Sequence, residues 1–382
     1  MKIERIETFL VPPRWLFCRV ETDDGVVGWG EPVVEGRAEV VRSAVEVLAE
    51  YLLGQDPLRI EQHWQVLTKG GFYRGGPVLS SAVAGLDQAL WDIAGQAYGA
   101  PVHALLGGPV RDRVRVYSWI GGDEPAEIAE AAAAQAAAGL TGVKMNASGR
   151  LTAIPTAAEI DAIVKRVAAA RTALGDERDI ALDFHGRAGA AAVRRILPEL
   201  APLRPFFVEE PVLPDQVHHL HDIVTCSPVP VATGERLYGR AEFLAPLQAG
   251  IAVVQPDLSH AGGISEVRRI AALAETYGAV LAPHCPLGPI ALAASLQVAL
   301  ATPNFLIQEQ SIGIHYHRGS SDLLDYLVDP EPLRFTDGHI ARLDRPGLGI
   351  TVDEAAVRAA ARTPHAWRNP IWQHADGSFA EW

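Results

Sequence analysis

Three acidic residues in the middle of the chain are spaced as a metal site would require. Asp183, Glu209 and Glu235 each lie at the end of a short apolar run, at intervals of 26 residues. That interval suits one strand plus one helix, which would bring the three side chains together at the carboxyl ends of parallel strands. A single acidic strand end can be merely solvated or cap a helix. Three clustered carboxylates need a proton or a cation, and an all-oxygen set favours Mg²⁺ or Mn²⁺ over zinc.

Two histidines near further strand ends could move protons. His185 follows Asp183 by two residues, so in a continuing strand both side chains face the same side. It could be a fourth ligand, an acid/base group or a structural histidine. Asp257 and His284 end the sixth and seventh apolar runs, and an Asp bonded to an imidazole makes it a competent general base. Glu309 ends the eighth run and adds one more carboxyl group.

Eight short β-like runs separated by helical stretches must position these residues. This alternation predicts an α/β fold, a parallel β/α barrel, although a doubly wound sheet would give the same count. The runs cover residues 114–120, 142–145, 180–184, 206–209, 229–233, 251–256, 279–283 and 305–309.

The first hundred residues follow a different pattern. Residues 16–21 and 26–31 read as two strands joined through Asp23-Asp24-Gly25, which predicts a hairpin. Helical spacing follows over 36–53 and 78–98, the latter with apolar residues on one face. Strands followed by helices predict an α+β domain. The tail from about Thr351 holds too little apolar material to fold alone and should pack on this domain.

Composition narrows the classes of partner. The chain has 382 residues and a formal net charge of −13, so we expect it to bind neither nucleic acid nor an anionic membrane. Its three cysteines are far apart and fit neither a disulfide framework nor a zinc motif. The first twenty residues lack the basic-then-apolar pattern of a signal peptide, and no apolar stretch is long enough to span a bilayer. A cytoplasmic location is the simplest expectation.

Several longer segments resemble the mandelate-racemase-like branch of the enolase superfamily, over essentially the whole chain. The resemblance is carried by Arg14-Trp15 and by the segments 71–76 (GFYRGG), 182–187 (LDFHGR), 209–211 (EEP), 255–263 (QPDLSHAGG), 282–289 (APHCPLGP) and 367–370 (WRNP). It implies a (β/α)7β modified TIM barrel at residues 114–350 and an α+β capping domain at residues 1–113, completed by the tail, about 351–382. It also suggests a homo-oligomer.

The same resemblance implies a role for each chemical group. The three spaced carboxylates would hold Mg²⁺. His284, paired with Asp257, would remove the proton α to a substrate carboxylate, as general base. Glu309, protonated, would donate a hydrogen bond to the developing enediolate. His185 would protonate the departing β-hydroxyl.

Residues of the second strand and of the capping domain are expected to contact substrate. Many racemases of this superfamily carry Lys-x-Lys on that strand, whereas this chain has Lys144-Met145-Asn146, so the second base is missing. Lys144 would neutralise the substrate carboxylate, unless it is solvated or packs on a helix, and Asn146 would bind a hydroxyl. Trp15 and Arg74 lie in loops that would close on the substrate. His315 and His317, after the eighth run, are interpreted as structural.

The resemblance implies the dehydration of an acid sugar, D-galactonate, to 2-dehydro-3-deoxy-D-galactonate and water. Three alternatives stay open from the residues. The substrate could be another aldonate or aldarate, the reaction could be racemisation or epimerisation, or the pocket could bind a sugar acid without turnover.

Overall fold

A computed structural model describes residues 1–314, 320–363 and 367–382 of the chain. His315 and His317 therefore lie outside the described residues. Within the described part, no helix is both long and apolar enough to cross a lipid bilayer.

The N-terminal elements form a small antiparallel sheet covered by helices. Strand β2 pairs with β1 on one side and β3 on the other, which confirms the predicted hairpin and adds the strand β1, which we did not predict. The elements are β1 (Ile3–Val11), β2 (Trp15–Thr22), β3 (Val27–Gly30), α1 (Ala38–Ala49), α2 (Ile60–Lys69), α3 (Pro77–Tyr98) and α4 (Val102–Leu105).

Helix α3 is buried on all sides for most of its length, from Ser80 to Gly95, rather than on one apolar face as its sequence pattern predicted. It lies between the N-terminal sheet and the rest of the molecule. Its polar side chains bond to both neighbours: the Gln88 side chain donates to the carbonyl oxygen of Leu258 at 2.9 Å and accepts from the backbone N–H of Glu31 at 2.9 Å. Buried polar groups of this kind are tolerated because they are hydrogen-bonded.

The next eight strands and the seven helices between them alternate regularly. The strands are β4 (Arg113–Ile120), β5 (Gly142–Asn146), β6 (Asp179–Asp183), β7 (Val208–Glu209), β8 (Val231–Thr233), β9 (Val253–Val254), β10 (Val280–Leu281) and β11 (Gln308–Gln310). The helices are α5 (Pro125–Ala137), α6 (Ala157–Leu174), α7 (Ala190–Leu200), α8 (Leu220–Cys226), α9 (Arg240–Ala249), α10 (Gly263–Thr276) and α11 (Pro289–Ala301). Short 3-10 helices occupy Ala201–Leu203, Pro214–His219, Leu323–Tyr326 and Glu331–Leu333.

These strands close into a barrel. Strands β4 to β10 pair in parallel in chain order, and β11 pairs in parallel with β4. A bridge between Leu281 and Phe305 joins the remaining side. The inside is filled by a layer that includes Tyr117, Phe207 and Ile307, as expected of a packed barrel core. The predicted (β/α)7β barrel with an α+β cap is confirmed, and the doubly wound sheet is excluded.

The chain after the barrel returns to the N-terminal elements. Strands β12 (Phe335–Thr336) and β13 (His339–Ala341) extend the sheet from β4. Helix α12 (Glu354–Ala360) follows, and its Arg358 forms an ion pair with Glu7 of β1 at 2.9 Å. Strands β14 (Trp372–Gln373) and β15 (Phe379–Ala380) form a hairpin at the end of the chain. We propose that residues 1–113, with the tail from about 351, act as the capping domain of a barrel domain at 114–350.

Candidate active site

Three carboxylates meet inside the mouth of the barrel. Asp183 and Glu209 are the last residues of β6 and β7 and are register partners in the sheet. Glu235 follows β8 by two residues, after Gly234, whose φ of 148° turns the chain. All three side chains are buried. The neighbouring Glu210 points away from them to a bidentate ion pair with Arg236, with distances of 2.9 and 2.6 Å.

Lys144 of β5 is the central cation of this cluster. Its Nζ lies 3.0 Å from Glu209 Oε1, 3.1 Å from Glu309 Oε1 and 3.8 Å from Asp183 Oδ2, and only 2% of the side chain is exposed. The alternatives in which Lys144 is solvated or packs on a helix are therefore wrong. Burial alone lowers the pKa of a lysine, but the surrounding Glu209 and Glu309 raise the pKa of Lys144 well above its usual value.

The electrostatics of the cluster favour a further positive charge. Burial, with the negative charge of neighbouring acids, raises the pKa of Glu209 to about 7 and that of Glu235 well above its usual value. Burial opposes ionisation of Asp183 too, but the nearby His185 and Lys144 lower its pKa overall. Among the described residues, Glu209 Oε2 is buried without a hydrogen-bond donor. Such a site fits a divalent cation, because the three carboxylates offer only oxygen atoms as ligands and one of these oxygens has no hydrogen-bond donor.

His185 reaches the cluster from a turn rather than from a strand. Strand β6 ends at Asp183, and His185 adopts a left-handed backbone with φ 48°, so the strand-based argument for its direction was wrong. Its Nε2 still lies 2.8 Å from Asp183 Oδ2, and Arg187 contacts its Nδ1 at 3.0 Å. One potential ligand atom each from Asp183, His185 and Glu235 lies within 4.8 Å of the others.

His284 lies on the other side of the carboxylates. Its Nδ1 is 2.8 Å from Asp257 Oδ2, and its Nε2 is 3.2 Å from Glu235 Oε2. Burial lowers the pKa of a histidine, but the hydrogen bond to Asp257 and the charge of Glu309 raise that of His284 overall. The two imidazoles thus flank one group of carboxylates, with His185 beside Asp183 and His284 beside Glu235.

Glu309 of β11 is held by two donors. Besides Lys144, the backbone N–H of Cys285 donates to its Oε2 at 3.2 Å. In this arrangement Glu309 accepts hydrogen bonds, whereas the resemblance implied a protonated donor. Cys285 itself is buried, and burial raises the pKa of its thiol well above the usual value, which makes it a poor nucleophile.

The expected substrate-binding residues differ in their placement. Asn146, at the end of β5, accepts a hydrogen bond from the Trp119 indole at 3.3 Å. Trp15 is fully buried, stacked on Phe17 of the cap and edge-on to Tyr326 of the segment that follows the barrel strands. Arg74 is exposed and bonds to Gly71 of its own loop at 3.1 Å. The geometry therefore brings Asn146 toward the site, whereas it places Trp15 in a core and Arg74 on the surface.

One ion pair beside His284 was missed by the sequence reasoning. His260 and Glu35 form an ion pair at 3.2 Å, and the His260 and His284 rings are 5.9 Å apart. Burial lowers the pKa of His260, but Asp257 and Glu35 raise it to about 9 overall. Glu35 comes from the loop after β3, so no local spacing links it to the barrel. The sequence feature that could have pointed to His260 is its position three residues after Asp257.

Comparison with known proteins agrees with this architecture. The model described as "Mandelate racemase / muconate lactonizing enzyme, N-terminal domain" matches residues 12–107. The model described as "Enolase C-terminal domain-like" matches residues 127–356. Together the two models cover most of the chain, and they divide it near the start of the barrel.

Individual relatives match along the whole length. The chain is 51% identical to the D-galactonate dehydratase of Variovorax paradoxus (strain S110) and 52% identical to that of Verminephrobacter eiseniae (strain EF01-2), covering 100% of both chains in each comparison. Among solved structures, an enolase from Agrobacterium radiobacter with bound Na and L-malate, described as a candidate galactarate dehydratase, matches with a TM-score of 0.91 at 34% identity over 100% of both chains. This chain belongs to the mandelate racemase/muconate lactonizing enzyme family of the enolase superfamily.

Proposed function

We propose that this protein is a sugar-acid dehydratase that converts D-galactonate to 2-dehydro-3-deoxy-D-galactonate and water. The observation that carries the proposal is the pair of imidazoles, His284 with its Asp257 and His185, on either side of one carboxylate cluster. Dehydration needs a base at one carbon and an acid at the next, and this arrangement supplies both. The substrate follows from the full-length D-galactonate dehydratases that the chain resembles.

Asp183, Glu209 and Glu235 would hold the divalent cation, Mg²⁺ from the hard-oxygen chemistry of the set, with Mn²⁺ as an alternative. When bound, the cation supplies a positive charge that offsets the negative charge developing on the substrate carboxylate. Lys144 acts toward the same end, because its ammonium lies among these acids in a buried site. In such a site a fixed charge acts more strongly than in water.

The chain's own residues can complete the proton transfers. His284, with Nδ1–H donating to Asp257, takes the α-proton at Nε2, and the C–H electron pair first delocalises into the substrate carboxylate. In a second step that pair forms the carbon–carbon double bond as the β-hydroxyl leaves. His185 gives its proton to that hydroxyl, which departs as water. The resulting enol gains a proton at carbon and becomes the keto acid. The proton taken up and the proton given out balance, and the reaction needs no redox partner.

The second strand favours elimination over racemisation. Two-base racemisation requires a base on each face of the α-carbon. The position that carries a second lysine in many racemases of the superfamily is Asn146 here, an amide that accepts from Trp119. An amide cannot remove a carbon-bound proton, so abstraction is one-sided.

A keto-acid assay over a panel of aldonates and aldarates tests the proposal. We expect D-galactonate to give keto acid, and a chelator to abolish the reaction until Mg²⁺ is restored. The panel includes galactarate because of the Agrobacterium radiobacter relative. Turnover of a different sugar acid alone would replace the substrate, and epimerised acid without keto acid would refute dehydration.

The binding partners, location and assembly of the protein remain predictions. We propose a small sugar acid as the partner of the site, no nucleic-acid or membrane partner in view of the acidic charge, a cytoplasmic location and assembly into a homo-oligomer.

A further inference from the structure

The last residues of the chain form a structure of their own at the barrel mouth. We call residues 367–382 the C-terminal hairpin. Its strands β14 and β15 pair antiparallel, with Trp372 opposite Ala380 and Gln373 opposite Phe379. The chain then ends at Trp382, which is partly exposed. None of the proposed proton-transfer or metal-binding residues belongs to this segment.

The C-terminal hairpin is fixed to both the cap and the barrel. On the cap side, Arg368 pairs with Glu39 of α1 at 2.6 Å, and the Arg14 guanidinium lies 5.1 Å from the centre of the Trp367 ring. On the barrel side, the Arg187 guanidinium lies 4.8 Å from the Trp372 ring. Cation–π contacts of this kind hold an aromatic ring in place by charge as well as by packing. The hairpin therefore spans the cap–barrel boundary.

The terminal indole lies on the face of His185. The Trp382 and His185 ring centroids are 6.4 Å apart with planes only 14° from parallel, and the Trp367 and Trp382 ring centroids are 6.3 Å apart. The edges of the imidazole are already engaged by Asp183 at 2.8 Å and Arg187 at 3.0 Å. Trp382 thus contacts the ring face of His185, which neither of these edge interactions covers.

A face contact matters for this histidine in particular. His185 lies outside any strand, and 23% of its side chain is exposed. The terminal torsion of a histidine side chain has a broad, shallow preference, so neighbours must select the ring plane. Proton transfer to a leaving group depends on that plane, because a misplacement of about 1 Å can cost roughly a hundredfold in rate.

We propose that Trp382 is a positioning residue for dehydration, which fixes the imidazole plane of His185 and covers its outer face against water. This inference rests on the proposed function, in which His185 is the acid. His284 lies on the opposite side of the carboxylates, so Trp382 should affect elimination and leave α-proton removal alone.

The test separates those two steps in the Mg²⁺-loaded enzyme. In Trp382→Ala we expect keto-acid formation from D-galactonate to fall roughly tenfold to a hundredfold, with deuterium from solvent still entering C2 of the recovered substrate. Trp382→Phe keeps an aromatic face and should restore most of the rate. Phe379→Ala is the matched control, because Phe379 lies in the same hairpin with 67% of its surface exposed, and should change neither step.

A second readout needs no activity. Diethyl pyrocarbonate modifies accessible imidazoles, and peptide mass spectrometry reports the rate at His185 itself. We expect a several-fold faster modification in Trp382→Ala than in the wild type or Phe379→Ala. Equal modification rates and equal elimination rates in Trp382→Ala and the wild type would overturn the proposal. Loss of both exchange and elimination in Trp382→Ala, with a lowered unfolding midpoint, would overturn it as well. If the wild type dehydrates no sugar acid, the proposed function fails, while the modification rates still report the contact.

Discussion

At the scale of single residues, the site is a set of buried charges that compensate one another. Lys144 contacts Glu209 and Glu309, while the two flanking histidines contact Asp183 and Glu235. An unpaired buried charge costs several kcal/mol, whereas a paired one is tolerated. These paired charges are also the groups that the proposed reaction uses. Substitutions at these positions should therefore report on chemistry and on cation binding separately.

The two histidines should separate the proton-transfer steps. In His284→Asn we expect α-proton exchange and keto-acid formation both to fall by roughly 10² to 10⁴-fold, because the proposed base is lost. In His185→Asn we expect exchange to persist while elimination is lost, because the acid alone is missing. Deuterium incorporation by NMR and keto-acid formation are measured on both variants. Rapid exchange in His284→Asn, or normal elimination in His185→Asn, would contradict the assigned roles.

Cation binding should stabilise the folded protein through the three carboxylates. A ligand at a hundred times its dissociation constant adds about 2.7 kcal/mol to the free energy of unfolding, so Mg²⁺ should raise the thermal unfolding midpoint of chelator-treated protein. In Glu235→Gln, which lacks one ligand charge, the rise should largely disappear. Glu275→Gln, exposed at the end of α10, serves as the control. An equal rise in Glu235→Gln and wild type would remove Glu235 from the ligand set.

At the scale of elements, helix α3 decides how the cap meets the barrel. Its contact with β3 includes a position where only glycine fits: a Cβ on Gly30 would lie 1.8 Å from the carbonyl oxygen of Gly85. A Cβ on Gly85 would itself lie 2.4 Å from Pro32. The two glycines allow the helix and the sheet to approach closely, and through that approach the loop carrying Glu35 reaches His260.

Gly85→Ala should therefore destabilise the protein despite its helical setting. Alanine in a helix normally gains up to about 1 kcal/mol over glycine, but forcing a methyl group into a packed contact costs about 1–3 kcal/mol. We expect overpacking to win and the unfolding midpoint to fall. Gly149→Ala is the control, because a Cβ there meets no atom within 4 Å. A midpoint for Gly85→Ala at or above that of the wild type would show that the helix has room to shift.

At the scale of the whole molecule, buried carboxylates of the N-terminal elements join them to barrel helices. Glu31 accepts from the backbone N–H groups of Gly288 and Ala291 at the start of α11, at 2.7 and 3.0 Å. Asp87 of α3 accepts from the backbone N–H of Ser265 at the start of α10, at 2.9 Å. The first N–H groups of a helix lack intrahelical acceptors, and these buried side-chain oxygens accept from them. These contacts fix the cap over the mouth of the barrel.

Asp87 should make this junction sensitive to pH. Burial raises the pKa of Asp87 to about 7 from its usual value of 3.8, so the folded state holds the proton more tightly than the unfolded chain. Its contribution to stability is full below about pH 4 and is lost as pH rises through 7. Asp87→Asn keeps an acceptor oxygen but does not ionise. Between pH 5 and pH 8, the free energy of unfolding of Asp87→Asn should fall less than that of the wild type, by on the order of 2–3 kcal/mol.

Unfolding midpoints at both pH values measure the difference. Asp161→Asn, exposed on α6, is the control for loss of a negative charge and should keep the wild-type pH dependence. An identical pH dependence for Asp87→Asn and wild type would mean that Asp87 is ionised across this range in the folded protein.

The barrel and the residues at its mouth could be predicted from patterns local to the chain. The eight predicted runs correspond to β4 through β11, because the alternation of short apolar strands with helices is written locally in the chain. The 26-residue interval of the three carboxylates placed Asp183 and Glu209 in neighbouring strands, because strand ends in a parallel barrel share one edge. The Asp257–His284 contact followed from the same rule.

Contacts between segments distant in sequence could not be predicted and are seen in the folded chain. Of the adjacent Glu209 and Glu210, it directs the first to Lys144 and the second to Arg236. It also brings Glu35 to His260 and the terminal Trp382 to His185. Local spacing cannot predict these contacts, because they depend on how the cap and the C-terminal hairpin pack on the barrel. That packing is set by burial and charge pairing between distant segments, not by the hydrophobic period of any one element.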